Sequence, residues 1–303
     1  MLAMTYKEAL FSPDISLANL AQSMVLPPKL YKYQSFYKND GTPNPFWKGN
    51  MNGEFHTSLA REFEDEYDCV PTFSKENVRN YIDNFLQHHN TPTEECKQIL
   101  RQLDDIIDIS FKKIINNYQT EIRIGCFTQS SDNEKMWNKY ANDKKGYCIE
   151  YDTEKNRLFK LLMLPVFYSE SLYDASRVLS NWILLESFRQ AKHRSLEENY
   201  KICKQLYERN LKMSYIPLFV KNEQRWGFEQ EYRMFILKHF NTCQGLLKMD
   251  ELLDDKFNLD LSDSITAIYL GGNFFENKDS IALLNEVKSI VNRKNIRLVI
   301  KSD

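Results

Sequence analysis

The chain has 303 residues, 42% of them hydrophobic and 13% aromatic, which is enough for one large core or two small ones. A formal net charge of −2 excludes a global field that would draw the protein to nucleic acid or to an acidic membrane, while a local basic groove stays open. Nine glycines and nine prolines argue against a glycine-rich phosphate loop and against a low-complexity chain. The N-terminus lacks a basic segment followed by an apolar run, and no stretch approaches the roughly 20 apolar residues of a membrane span, so a cytoplasmic protein without membrane contact is expected. The six cysteines (Cys69, Cys96, Cys126, Cys148, Cys203 and Cys243) show no C-x-x-C spacing, and the five histidines no H-x-x-x-H or H-E-x-x-H pattern. Reduced thiols and no dedicated metal site follow.

Residues 1–28 hold a short amphipathic stretch that stops at Pro27-Pro28. Leu30 to Phe36 is aromatic-rich and alternating, which predicts a strand. Gly41, Pro43, Pro45, Gly49 and Gly53 predict a long loop over 39–53, followed by a short strand over 54–58. Val78, Tyr81, Ile82 and Phe85 predict a helix over 75–88. Thr91-Pro92-Thr93-Glu94 reads as the cap of a second helix, whose stripe runs through Ile99, Leu103, Ile106, Ile107 and Phe111. Strands are expected at 121–127, 146–151, 164–168, 228–237, 265–270 and 296–300. Helices are expected at 132–142, at 172–213 with a break near His193-Arg194-Ser195, and from an Asn277 cap to residue 292. The acidic run Glu62 to Asp68 reads as a solvated face. With neither a repeat nor a linker, the pattern predicts a single α+β domain over 1–303. Its central sheet is mixed or antiparallel, and its helical segments at about 75–118 and 172–213 are insertions.

The segment Trp226 to Arg233, W-G-F-E-Q-E-Y-R, concentrates the chemistry. Read as a strand, one face carries Trp226, Phe228, Gln230, Tyr232, Met234 and Ile236. The other carries Glu229, Glu231, Arg233, Phe235 and Leu237. Such a strand is inner in its sheet at the apolar end and reaches a rim or cleft at the charged end. The three charges then form either a structural Glu–Arg pair or a paired-carboxylate site that stabilises a cationic transition state.

Three motifs carry a resemblance. L-Y-K-Y-Q-S-F near the N-terminus, C-F followed by M-W-N-K-Y-A-N-D-K-K-G-Y-C-I-E-Y-D, and W-G-F-E-Q-E-Y-R occur in the order found in a bacterial family of domain of unknown function 2971. From about Leu30 to Tyr269 the chain resembles that family. It departs at Glu62 to Cys69, which reads E-F-E-D-E-Y-D-C where the family has an F-N-D-P-F-like segment. The resemblance implies a phage-defence or toxin-system effector. A looser similarity to ADP-ribosyltransferases lies in the order of Lys32, Thr57-Ser58 and Glu229-x-Glu231. It implies an ADP-ribosyltransferase-like core and NAD as substrate, consumed by transfer to a macromolecular acceptor or by hydrolysis. Glu231, backed by Glu229, would stabilise the oxocarbenium-like cation as nicotinamide leaves.

Around these two carboxylates, Lys32, Tyr31, Tyr33, Thr57 and Ser58 are the candidate substrate ligands of the early strands. Trp137, Tyr140 and Trp226 are candidate walls for a flat ring, and Arg123 and Arg233 candidate partners of the carboxylates. Two other readings stay open. One is a metal-dependent nuclease using Glu229, Glu231 and an acidic residue of Glu62 to Asp68. The other is a non-enzymatic sensor with an aromatic pocket and a helical segment that docks a regulatory partner.

Overall fold

A computed structural model describes residues 26–88, 101–190, 219–237, 239–242, 245–248 and 252–302. In chain order it opens with β1 (Lys29–Gln34), α1 (Trp47–Asn52), β2 (Glu54–His56), β3 (Ser58–Leu59), α2 (Lys75–His88), α3 (Leu103–Glu121) and β4 (Ile122–Thr128). Next come α4 (Glu134–Tyr140), β5 (Tyr147–Asp152), α5 (Arg157–Leu162), β6 (Met163–Pro165), β7 (Phe167–Ser169), α6 (Ser176–Gln190) and β8 (Val220–Asn222). The remainder is α7 (Glu223–Trp226), β9 (Glu231–Leu237), β10 (His239–Thr242), β11 (Gly245–Lys248), β12 (Asn258–Asp260), β13 (Ile265–Leu270), α8 (Ser280–Lys294) and β14 (Arg297–Ile300).

These elements fall into two compact units. Among described residues, one unit is built from Ala60–Glu121 and Phe167–Asn222, and the other from Gln22–Leu59, Ile122–Val166 and Glu223–Asp303. Both helical segments expected as insertions contribute to the first unit, the second of them as far as Gln190. The Thr91–Glu94 cap, the break at 193–195 and the amphipathic N-terminal stretch lie outside the described residues.

In the helical unit, Val78, Ile82 and Leu86 repeat at helical spacing and form the buried stripe of α2. They cluster with Leu103 and Ile107 of α3 and with Leu179, Ile183 and Leu184 of α6. One polar side chain in α6 breaks this apolar order. Among the described residues, Asn181 is fully buried and its amide nitrogen and oxygen both lack a hydrogen-bond partner. Burying an unpaired amide costs about 2 kcal/mol. Asn181→Leu, of similar volume, is therefore expected to raise stability by about 1–2 kcal/mol in urea unfolding. A loss of stability instead would show that the amide is engaged.

The second unit is organised by an eight-stranded mixed sheet in the order β14-β13-β5-β1-β4-β9-β6, with β3 added beside β4. Only β13 and β14 run parallel; the other pairs are antiparallel. The fold class is thus α+β with a mixed central sheet. One sheet face carries the main core, including Leu30, Ile149, Tyr232, Met234, Ile236 and Ile268. There Phe55 stacks on Phe127 with ring centroids 4.4 Å apart. A side chain at Gly125 would put its Cβ 2.6 Å from the Phe55 ring, so this close approach needs glycine.

Three expectations are corrected. The loop expected over 39–53 contains α1, because Trp47 and Met51 stand four apart and bury one helical face; Gly53, at φ 109°, terminates the helix. The strand expected from Phe228 starts at Glu231. Residues Gly227–Glu229 form a 3-10 turn, and Gln230 is left-handed at φ 45°, which breaks the alternation. Asn277 does not cap α8; its amide instead donates to the carbonyls of Lys145 and Phe274.

Candidate active site at the corner of α4 and β9

Strand parity decides what meets at this corner. Tyr31 pairs with Glu150 and with Thr128, and Thr128 pairs with Glu231. Glu150, Tyr31, Thr128 and Glu231 therefore occupy one row across β5, β1, β4 and β9, on the face opposite the main core. Cys126 and Arg233 form the neighbouring pair on the same face. Helix α4 packs over this face through Met136 and Trp137, which cluster with Tyr33 and Cys148. Asn133 starts the helix, accepting from the Met136 amide at 3.2 Å, and its side-chain nitrogen donates to the Phe228 carbonyl. That bond ties the helix start to the turn before β9.

Two carboxylates sit inside this frame. Arg233, fully buried, holds both oxygens of Glu231, its Nε at 2.8 Å from Oε1 and an Nη at 3.2 Å from Oε2. Glu229 is 4% exposed and accepts from the Tyr140 hydroxyl at the end of α4, while the Thr128 hydroxyl donates to the Glu229 carbonyl at 2.6 Å. Burial, then the charge of Glu229 and its hydrogen bond, pushes the Tyr140 phenol far above its ordinary value, so it is a donor at neutral pH. Burial and the Glu231 charge likewise push the Cys126 thiol up, so it is protonated at neutral pH. Tyr140, 36% exposed, reaches the surface of the corner. Around it, Lys139 lies 4.9 Å from the Trp226 ring centre, Arg225 5.9 Å from the same ring, and Lys135 5.6 Å from the Phe228 ring.

The corner thus gathers Glu229, Glu231, Arg233, Tyr140 and Trp226. Tyr33 and Trp137 lie beneath α4 as a perpendicular ring pair 5.0 Å apart, with the indole donating to the Ser131 carbonyl, so they support the helix. Tyr31 turns to Glu150, 3.3 Å away.

The early-strand residues do not join them. Lys32 projects from the opposite face, its ammonium 5.5 Å from the Phe55 ring centre. Arg123 also projects there, stacked 3.5 Å from the Phe257 ring centre and donating to the Thr57 carbonyl at 2.8 Å. The Thr57 hydroxyl is buried and donates to the Phe257 carbonyl. Ser58 pairs with Ile124, four residues along β4 from the Thr128–Glu231 row, which is roughly 13 Å. The expected set of Lys32, Ser58 and Glu231 therefore does not converge. Parity sends Lys32 to the other face, and register sends Ser58 along the strand.

Residues 136–234 match the model of the family described as protein of unknown function (DUF2971). The matched segment contains Tyr140, Glu150, Trp226, Glu229, Glu231 and Arg233, whereas Lys32, Thr57 and Ser58 lie outside it. No curated protein and no solved structure matches the chain. The expected likeness to an ADP-ribosyltransferase core thus has no structural neighbour behind it. Among the described residues no group of three or more His, Cys, Asp or Glu could hold a metal ion, which leaves the nuclease reading without a donor set there. No described helix is long and apolar enough to cross a membrane.

Sequence reasoning missed Glu150, which accepts from Tyr269 at 2.7 Å, Thr266 at 2.7 Å and Arg297 at 3.2 Å, and also from Lys29 and Tyr31. A signal was present: one carboxylate inside the otherwise apolar run Tyr147 to Tyr151 must find partners on its own face.

Proposed function

We propose that the corner of α4 and β9 consumes NAD, by ADP-ribosyl transfer to an acceptor or by hydrolysis. The observation that carries this reading is the pair of buried carboxylates two residues apart, Glu229 held by a phenol at the surface and Glu231 by a buried guanidinium, beside aromatic and cationic side chains. Arg233 engages both Glu231 oxygens, so Glu231 keeps the shape of the corner. Glu229, beside the half-exposed Tyr140, is the carboxylate assigned to the ribose hydroxyl and to the cation.

In the reaction the C1′–nitrogen bond breaks and its electron pair leaves with nicotinamide. The ribose becomes an oxocarbenium-like cation, stabilised by the Glu229 charge in a site shielded from water. Water or an acceptor nucleophile then adds at C1′ and loses a proton. Lys32 and Ser58 have no part in this scheme, because the fold places them elsewhere.

Purified protein incubated with NAD, with and without cell extract as a source of acceptor and activator, is expected to release nicotinamide. NADH should stay intact, because its ring is not cationic and leaves poorly. Absence of nicotinamide under all these conditions would sink the reading.

A further inference from the structure

We infer that Tyr140 is an autoinhibitory latch on Glu229: its hydroxyl closes the carboxylate to substrate until the side chain turns outward. The closure stands without the NAD reading, whereas calling it inhibition rests on that reading. Glu229 is 4% exposed, so a ribose hydroxyl has no access to its carboxylate in this arrangement and some group has to move first. Tyr140 touches that carboxylate, its hydroxyl donating to Oε1, and is itself 36% exposed. Thr128, Trp226 and Arg233, the other side chains of the corner, are buried. Met136 and Trp137, on the preceding turn of α4, are buried with Tyr33 and Cys148 and fix the helix to the sheet. The last residue of α4 is therefore the part with room to turn. The bond also works against the reaction while it lasts, because a carboxylate stabilised by the phenol in the resting state has less to gain from a developing cation.

The chain that follows holds the latch in place. Asn142, Asp143 and Lys144 are all left-handed, at φ 49°, 52° and 66°, a conformation disfavoured for any residue with a Cβ. The turn after β13 imposes it. The Asn273 backbone amide donates to the Lys144 carbonyl at 3.1 Å, and the Asn273 side-chain nitrogen donates to the Asp143 carbonyl at 3.0 Å. Gly271 comes so close that a Cβ there would stand 2.0 Å from the Lys144 carbonyl oxygen. A strained run docked in this way fixes the end of α4 from which Tyr140 reaches Glu229. Such strain persists only where the surroundings over-determine it, and switch regions are one such place. A ligand or partner that binds with Tyr140 turned outward shifts the population to the open state.

The test compares the full-length wild type with Tyr140→Phe, which keeps the ring and its packing, and with Tyr140→Ala. Two rates are read on each protein. One is coupling of the Glu229 carboxyl to glycine ethyl ester by a water-soluble carbodiimide, followed by peptide mass spectrometry, which reports access without any substrate. The other is nicotinamide release from NAD. Urea unfolding shows that each variant is folded. Both rates are expected to rise by about 10-fold or more in the variants, as for a closed state that opens only a small fraction of the time. Faster coupling without nicotinamide release from any of the three proteins keeps the latch and removes the NAD reading alone. Nicotinamide release that falls in Tyr140→Phe overturns the latch and keeps the NAD reading, since the phenol would then assist the reaction. Coupling at the wild-type rate in both folded variants overturns the latch.

Discussion

Arg233→Met is expected to cost about 4 kcal/mol of stability, because it leaves the Glu231 carboxylate buried without its guanidinium. Arg233 is fully buried and Glu231 is 5% exposed, so water replaces the lost contact only by opening the corner. A typical domain has about 5–15 kcal/mol in total, so such a variant approaches unfolding under ordinary conditions. The pair itself contributes much less than its rupture costs, since both ions are desolvated on folding. Glu231→Leu combined with Arg233→Met should therefore recover most of the loss. Urea unfolding of the two single variants and the double variant gives the coupling directly. A loss below about 1 kcal/mol for Arg233→Met would show that the corner does not depend on the pair.

A second large effect concerns Glu150 and acid. Burial alone would raise its carboxyl, but hydrogen bonds from Lys29, Tyr269 and Thr266, together with the Lys29 charge, outweigh burial and hold it at about 2. A carboxylate whose folded value lies below its ordinary 4.5 contributes stability that is present above about pH 4.5 and lost as pH falls through about 2. The network joins strands β1, β5, β13 and β14, so its loss loosens the sheet on that side. Lys29 and Arg297 are substantially exposed, which screens their charges and limits the contribution. Glu150→Gln is therefore expected to lower stability at pH 7 by about 2 kcal/mol and to flatten its decline between pH 4.5 and 2. Unfolding midpoints across that window check it; parallel pH curves for wild type and variant would contradict it.

Much of the fold was legible in the sequence. Helix α2 carries an uninterrupted helical period and its observed ends fall where that period ends, and strand β13 spans the expected 265–270 although a bulge between Ile265 and Ala267 breaks its alternation. Alternation in the 226–237 segment separated Glu231, Arg233 and Phe235 from Tyr232, Met234 and Ile236, and the structure keeps that separation from Glu231 onward. What alternation cannot show is where a backbone leaves the extended state. Gln230 adopts the left-handed conformation without being glycine, so nothing local marked the end of the strand.

The candidate site was legible only in its local half. Glu229, Glu231 and Arg233 are neighbours in sequence and stay neighbours in space. Whether Lys32 faces them depends on the pairing of Tyr31 with Thr128 and of Thr128 with Glu231. That is a property of three strands far apart in the chain, and a shift of one residue would reverse it. Arg123 went astray for the same reason. Tyr140 was recognised as an aromatic wall, but its role as the donor to Glu229 needed the tertiary contact between α4 and the turn before β9.

The decisive comparison is nicotinamide release by wild type and by Glu229→Gln. Glutamine keeps an oxygen for the Tyr140 hydroxyl to donate to, so the variant should retain the wild-type unfolding curve while the negative charge is gone. Loss of about 100-fold or more in the rate of release, with unfolding unchanged, is the expected result. Equal release by a folded Glu229→Gln variant would contradict the assignment of this corner as the active site.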